Sequence, residues 1–199
     1  MNLRTPMRTV WAAFRALLVL TVVTGVVYPL AVTGVAQSAF GHRADGSLVQ
    51  ADGRDVGSSL IGQTWNDANG DPDPRWFQPR PSHSGYDPTA TGSSQLGASD
   101  PTLLATVEET RAAVAAFNGV PESAVPADAV TGSSSAIDPH VSPAYAEIQV
   151  ARVAAANGLS PEQVERLVAD HTEDRDLGFL GEERVNVLEL NLALREVVG

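Results

Sequence analysis

The chain has 199 residues, 13 basic and 24 acidic side chains, a net charge of −11, and neither cysteine nor lysine. An acidic surface repels phosphate backbones and anionic headgroups, which argues against nucleic acid and against a peripheral membrane-binding face. The missing cysteines exclude disulfides and thiolate chemistry, and the missing lysines exclude a P-loop and Schiff-base catalysis, so the chain is not itself a standard ATPase or kinase.

Arg4, Arg8 and Arg15 precede an uncharged run from Ala16 to Ala36, and every acidic residue follows it. At 1.5 Å rise per residue a run of this length reaches about 30 Å, the thickness of the hydrocarbon core. The reading is a cytoplasmic N-terminus over 1–15, a single transmembrane helix over 16–36 and an extracytoplasmic domain over 37–199, oriented by the arginines on the positive-inside rule. A cleaved signal peptide is the alternative, with Gly34-Val35-Ala36 as a small-residue site. Against it stand the length of the apolar run and Tyr28-Pro29 within it.

Beyond the span, apolar segments around Ser47-Leu48-Val49 and Ser58-Ser59-Leu60-Ile61-Gly62-Gln63 predict paired strands separated by the polar stretch 51–55. Residues 67–99 are rich in Gly, Pro, Ser, Asp and Thr, and Trp65, Trp76, Phe77 and Tyr86 stand within or beside them. This composition predicts a long ordered loop packed by its aromatics. Pro101 to Phe117 reads as a helix capped by Ser99 or Asp100, with Leu103, Val107, Thr110, Val114 and Phe117 on one stripe. A second helix is expected over 143–156. A third opens with the capping box Ser160-Pro161-Glu162-Gln163 and buries Val164, Leu167 and Val168. At the C-terminus a short strand near Arg184-Val185 leads into a helix whose stripe is Val187, Leu190, Leu194, Val197 and Val198. The fold class is α+β.

Three patterns raise the question of chemistry. Asp67-Ala68-Asn69-Gly70-Asp71-Pro72-Asp73 alternates oxygen donors as a calcium loop does. Pro72 stands where glycine should turn the chain, and Gln78 replaces the bidentate glutamate, so a solvated turn is the better reading. Ser133, Ser134, Ser135, Asp138 and His140 supply a triad in name, without a G-x-S-x-G elbow. The remaining histidines, His42, His83 and His171, stand singly and lack metal-site spacing, so no metal ligands are assigned.

The motifs taken together resemble one family, the C subunit of the Kdp high-affinity potassium-transporting P-type ATPase. They are Gly25-x-x-Tyr28-Pro29-Leu30 with Thr33-Gly34 and Gln37; Gly46-Ser47-Leu48; Gly57-Ser58-x-Leu60-Ile61-Gly62-Gln63; and Trp76-Phe77-x-x-Arg80-Pro81-Ser82. Ser93-x-x-Leu96-Gly97, Val130-Thr131-x-Ser133, Ile137-Asp138-Pro139-His140-Val141-Ser142, Gln149-x-x-Arg152-Val153-Ala154 and Val185-Asn186-Val187-Leu188-x-Leu190-Asn191-Leu192-Ala193-Leu194 complete the set. Ser94-Gln95 departs from the Gly-Ser-Asn of many members.

The resemblance implies a non-catalytic accessory subunit that stabilises assembly and supports ATP-coupled potassium import, a catalytic-chaperone type of role. Its implied partners are a potassium-channel-like subunit and a P-type pump subunit in the membrane. It implies no cofactor of the chain's own, with ATP and magnesium at the pump subunit. The glutamine of the Q-x-x-R-V-A run, Gln149, is the nucleotide contact it implies. That conflicts with a topology that places Gln149 outside, and indirect stabilisation satisfies both. Within the span, Gly25, Tyr28 and Pro29 form the expected packing face toward a partner helix. The alternative class is a membrane-anchored extracytoplasmic binding protein or hydrolase.

Overall fold

The computed structural model describes residues 4–199 and divides into two compact units, residues 1–48 and 49–199. The first three residues of the expected cytoplasmic segment 1–15 lie outside the described residues. In the first unit, α1 (Arg4–Val22) and α2 (Tyr28–Ala44) are joined by a π-helical turn, Val23–Val27. The stretch Met7–Ala44 has a mean hydropathy of 2.1 over its most apolar window, and is long and apolar enough to cross a membrane. Its helix starts well before Ala16. It breaks at Phe40, whose backbone (φ −140°, ψ 42°) leaves the helical region.

The π turn has a local cause. A proline removes its own N–H bond and presses its ring on the carbonyl four residues back. For Pro29 that carbonyl belongs to Gly25. The helix widens there, so that the Tyr28 N–H reaches the Val23 carbonyl five residues back, and Pro29 starts α2 in a first-turn position where no N–H is needed.

The next elements are β1 (Leu48–Ala51) and β2 (Arg54–Ser58), paired as a hairpin. Asp52 and Gly53 turn it with φ of 52° and 72°, the paired positive values of a two-residue hairpin turn. The second strand lies earlier than expected: it takes in part of the polar stretch 51–55 and ends at Ser58, the first residue of the apolar segment expected to form it. The chain must leave the ladder there, because the Gly62 N–H donates to the Ile137 carbonyl (2.8 Å). From Ser59 to Asp100 the chain is a long loop without helix or ladder strand, closed locally by an Asn66–Pro72 bridge. As the composition predicts, it is packed by aromatics: Phe77 and Tyr86 are buried, and the Trp65 and Trp76 rings meet at 5.3 Å.

Helix α3 (Pro101–Asn118) is capped by Asp100, whose carboxylate accepts the Thr102 N–H, and stops at Gly119 in the left-handed region. The expected helix over 143–156 is two helices, α4 (Pro143–Glu147) and α5 (Val150–Asn157). Between them the Gln149 N–H bonds to Ala146, three residues back, tightening the turn. Helix α6 (Pro161–Asp170) carries the capping box, with Ser160 and Gln163 bonded reciprocally. Strands β3 (His140–Val141), β4 (Thr172–Glu173) and β5 (Arg184–Asn186) form an antiparallel sheet with β5 central, and Val185 faces both Val141 and Thr172. Helix α7 (Val187–Val198) follows directly and buries Val187, Leu190 and Leu194, while Val197 and Val198 stay exposed. The core joins these to Phe77, Val153, Val164 and Val185, all at most 1 % exposed.

Three distant loop segments meet at Gly62. A Cβ placed there would stand 2.4 Å from the Tyr86 ring and 2.9 Å from the Asp138 carbonyl oxygen. Neither can retreat, because the Tyr86 hydroxyl donates to the Arg80 carbonyl (2.7 Å) and Asp138 is held by its own bonds. Gly62→Ala should cost about 2–3 kcal/mol in denaturant unfolding of the full chain in detergent, an overpacking effect. Gly97→Ala, where an added Cβ meets nothing within 4 Å, should change stability by less than about 0.5 kcal/mol.

Candidate functional site

Gln149 is completely buried, and its environment is a polar clamp around the backbone of Phe77 and Gln78. These two residues belong to no β-ladder, yet both are buried, so their peptide groups need partners from elsewhere. Side-chain amides supply them. The Phe77 N–H donates to Asn191 Oδ1 and the Asn191 Nδ2 donates back to the Phe77 carbonyl, both at 2.9 Å. On the other side the Gln78 N–H donates to Gln149 Oε1 (2.7 Å), and Gln149 Nε2 donates to the Gln78 carbonyl (3.1 Å). The two amides thus imitate neighbouring strands.

The rest of Gln149 is also occupied. Its Nε2 donates to the Tyr145 carbonyl (3.2 Å), and its Oε1 accepts from Arg152 Nη2 (2.8 Å). Both amide hydrogens and both oxygen lone pairs are therefore used inside the domain. Arg152 carries the clamp outward: Nη1 donates to the Pro74 and Trp76 carbonyls (2.6 and 3.0 Å), Nε donates to Asn118 Oδ1 (2.9 Å), and the guanidinium lies 4.4 Å from the centre of the Phe117 ring. Burial pulls its pKa down to about 10, opposed by the fields of Tyr145 and Asp73, so it stays charged at neutral pH. One arginine joins α3, α5 and the loop. Gln78 completes the arrangement by donating from Nε2 to the Trp65 and Asp73 carbonyls (2.8 and 3.0 Å).

Beside this clamp lies a cleft of about 430 Å³ walled by Pro79, Pro81, Tyr86, Val114, Phe117 and Tyr145. Burial raises the Tyr145 hydroxyl to about 12 and pushes the Tyr86 hydroxyl up as well, so both are neutral donors. The cleft wall is made of residues flanking Gln149, which is itself fully covered.

A second polar cluster fixes the other end of the loop. The Asp138 carboxylate accepts from the His140 backbone N–H (3.0 Å), contacts His140 Nδ1 (3.2 Å) and pairs with Arg80 (3.3 Å). Hydrogen bonds from His140, backed by Arg80, hold its carboxyl below the usual range despite partial burial. Arg80 also donates to the Thr131 and Gly132 carbonyls. Ser133 and Ser135 bond each other through their hydroxyls (3.3 Å), and Ser135 accepts the Ile137 N–H. The structure brings Asp138 and His140 together while the serines serve their own loop, so the grouping is a loop brace.

The other sequence patterns resolve in the same way. Asp67 turns back to accept the N–H groups of Asn69 and Asp71 (2.8 and 3.1 Å), and Asp73 holds Arg75 (2.6 Å). Among the described residues no three His, Asp or Glu side chains group to hold a metal ion. His171 Nδ1 sits 2.8 Å from the Leu167 carbonyl at the end of α6. In the apolar helix, Gly25 lies in the π turn with open space where a Cβ would stand, and Tyr28 is largely exposed beside Pro29.

Pattern reading quotes Asn191 only within a family motif and Gln78 only as the misfit of a calcium loop, and gives neither its part in the clamp. A signal was present for the first: Asn191 is an amide between Leu190 and Leu192 on a face that is otherwise apolar, where only a bonded polar group is tolerated. Gln78 carries no comparable mark, because its role depends on a carbonyl 13 residues away.

Fold and site together define a membrane-helix-bearing α+β protein whose buried polar residues hold an aromatic loop in place. The chain belongs to the KdpC family, described as the K+-transporting ATPase c chain, which matches residues 10–196. It is 52 % identical to the potassium-transporting ATPase KdpC subunit of Streptomyces coelicolor over 94 % of this chain and 92 % of that one. It is 58 % identical to the like-named subunit of Kineococcus radiotolerans, over 90 % and 89 % of the two chains. It is 50 % identical to that of Mycobacterium tuberculosis, over 94 % and 97 %.

The clamp makes a quantitative prediction. Gln149→Leu, close in volume but without the amide, strands the Gln78 peptide groups and should cost about 3 kcal/mol. Arg152→Lys, which cannot span four acceptors, should cost about the same. Because the two share a bond, the double variant should lose at least about 1 kcal/mol less than the sum. Denaturant unfolding followed by tryptophan fluorescence, with Trp65 and Trp76 in the loop itself, measures all three. Losses under about 0.5 kcal/mol would mean the loop is held by other contacts.

Proposed function

We propose that this chain is the non-catalytic accessory subunit of an ATP-driven potassium uptake complex, anchored by one helix and acting on its partners' assembly. The observation that carries the reading is family membership over nearly the whole length. The partners are a channel-like potassium subunit and a P-type pump subunit; ATP and magnesium act at the pump subunit, and this chain holds no cofactor. Several features support that division of labour. There is no lysine and no D-K-T-G-T phosphorylation motif, and Gln149, whose resemblance-implied role is nucleotide contact, has every hydrogen-bonding site engaged within the domain. Gln149 therefore serves the pump indirectly, by shaping the domain that supports it.

In the membrane, Gly25, Tyr28 and Pro29 form the face toward a partner helix. The π turn leaves a backbone ridge bare of side chain at Gly25 where another helix packs closely. A tagged chain purified from its native membrane should bring down both partner subunits with potassium-stimulated ATPase activity. Gly25→Leu should reduce that recovery by at least about fivefold, roughly 1 kcal/mol, while leaving its own membrane level unchanged. Equal recovery would show that this face meets lipid.

The orientation is N-terminus cytoplasmic, span over 16–36 and domain outside. It rests on three arginines before the span and all 24 acids after it. In intact cells, Ser134→Cys should therefore react with a membrane-impermeant thiol reagent, since the natural chain has no cysteine to compete. Labelling only after lysis would reverse the topology.

A further inference from the structure

Between β4 and β5 the chain forms a short arm, Asp174 to Glu183, whose tip presents three large apolar side chains within four residues. Leu177 is 83 % exposed, Phe179 70 % and Leu180 49 %. The arm is built rather than slack. Asp176 and Leu180 exchange both backbone bonds at 2.9 Å, and the Gly178 N–H donates to the Arg175 carbonyl. Arg175 pairs with Glu182 (2.8 Å) and, at the end of the β4–β5 ladder, Arg184 with Glu173 (2.7 Å). Leu177 itself is held at φ 55°, a backbone state that leucine disfavours. An isolated exposed leucine is ordinary; three on a braced and strained tip are not.

The charges around the tip identify what it meets. Glu173, Asp174, Asp176, Glu182 and Glu183 surround it, against Arg175, which pairs with Glu182, and Arg184, which pairs with Glu173 and stands 3.8 Å from Asp176, so the tip stays net acidic, with Asp174 and Glu183 outside these pairs. A lipid surface with anionic headgroups is repelled by that rim, and so is a second copy of a chain with net charge −11 and no lysine. We propose that this arm docks into an apolar socket rimmed by arginine or lysine on another protein subunit of the same complex, Leu177 and Phe179 filling the socket and the carboxylates meeting the rim. The proposal rests on the accessory-subunit reading above and adds to it where the domain holds its partner.

The test uses the full chain co-produced with its partner subunits. A photoreactive benzoylphenylalanine in place of Phe179 should crosslink to one subunit of the complex, at a segment containing Arg or Lys. The same group in place of Leu104, exposed on α3, serves as the background. Leu177→Ser with Phe179→Ser should lower recovered partner subunits about tenfold, as expected for anchors at the centre of an interface. Asp174→Lys with Glu183→Lys, two exposed carboxylates of the arm outside its ion pairs, should lower recovery as well, with a reduced dependence on salt. Because all four positions are exposed, the chain's own level should not change. Crosslinks to lipid or to a second copy, crosslinking no greater than at position 104, or full recovery with the serine variant would each overturn the proposal. If the unsubstituted chain brought down no ATPase subunit at all, the accessory-subunit reading would fall with it. Recovery by the unsubstituted chain without the Phe179 crosslink would remove the arm alone.

Discussion

The buried peptide groups of Phe77 and Gln78 are the constraint on which the domain depends. A loop that carries an aromatic into the core must bury backbone with it, and buried N–H and C=O groups without partners cost about 1–3 kcal/mol each. Regular structure would satisfy them by a ladder, and here the sheet is elsewhere, small and three-stranded. The domain instead uses Gln149 and Asn191 as substitute strands and Arg152 as a brace across three elements. The interruption between α4 and α5 belongs to the same solution, for Gln149 sits in the tightened turn that separates them.

This arrangement bears directly on what the chain does. Its polar side chains are already committed: Gln149 and Arg152 to the loop, Arg80 and Asp138 to the segment from Thr131 to His140, Asp73 to Arg75. Such a domain presents a fixed surface. The acidic arm with its apolar tip is the part of that surface least explained by the domain's own stability.

The membrane helix obeys a parallel logic. Pro29 withdraws one hydrogen bond and crowds the Gly25 carbonyl, and the helix answers with a π turn instead of a sharp bend. A residue without a side chain at the widened turn leaves backbone open to a neighbour. In lipid, where apolar burial drives little association, close backbone approach is what distinguishes one face from another.

Local rules determined much of this protein from the sequence by itself. The apolar run and the arginines before it, the Asp100 and Ser160 caps, and the strand-to-helix change at Val185–Val187 are all set by residues within a few positions of each other. The motif order was enough to indicate the family. Tertiary structure decided the rest, because the deciding contacts join residues far apart: Gln149 to Gln78, Asn191 to Phe77, Gly62 to Tyr86 and Ile137. The second strand stops at Ser58 and the helix over 143–156 divides for that reason. In both places a local preference gives way to a backbone group, distant in sequence, that must be bonded once it is buried.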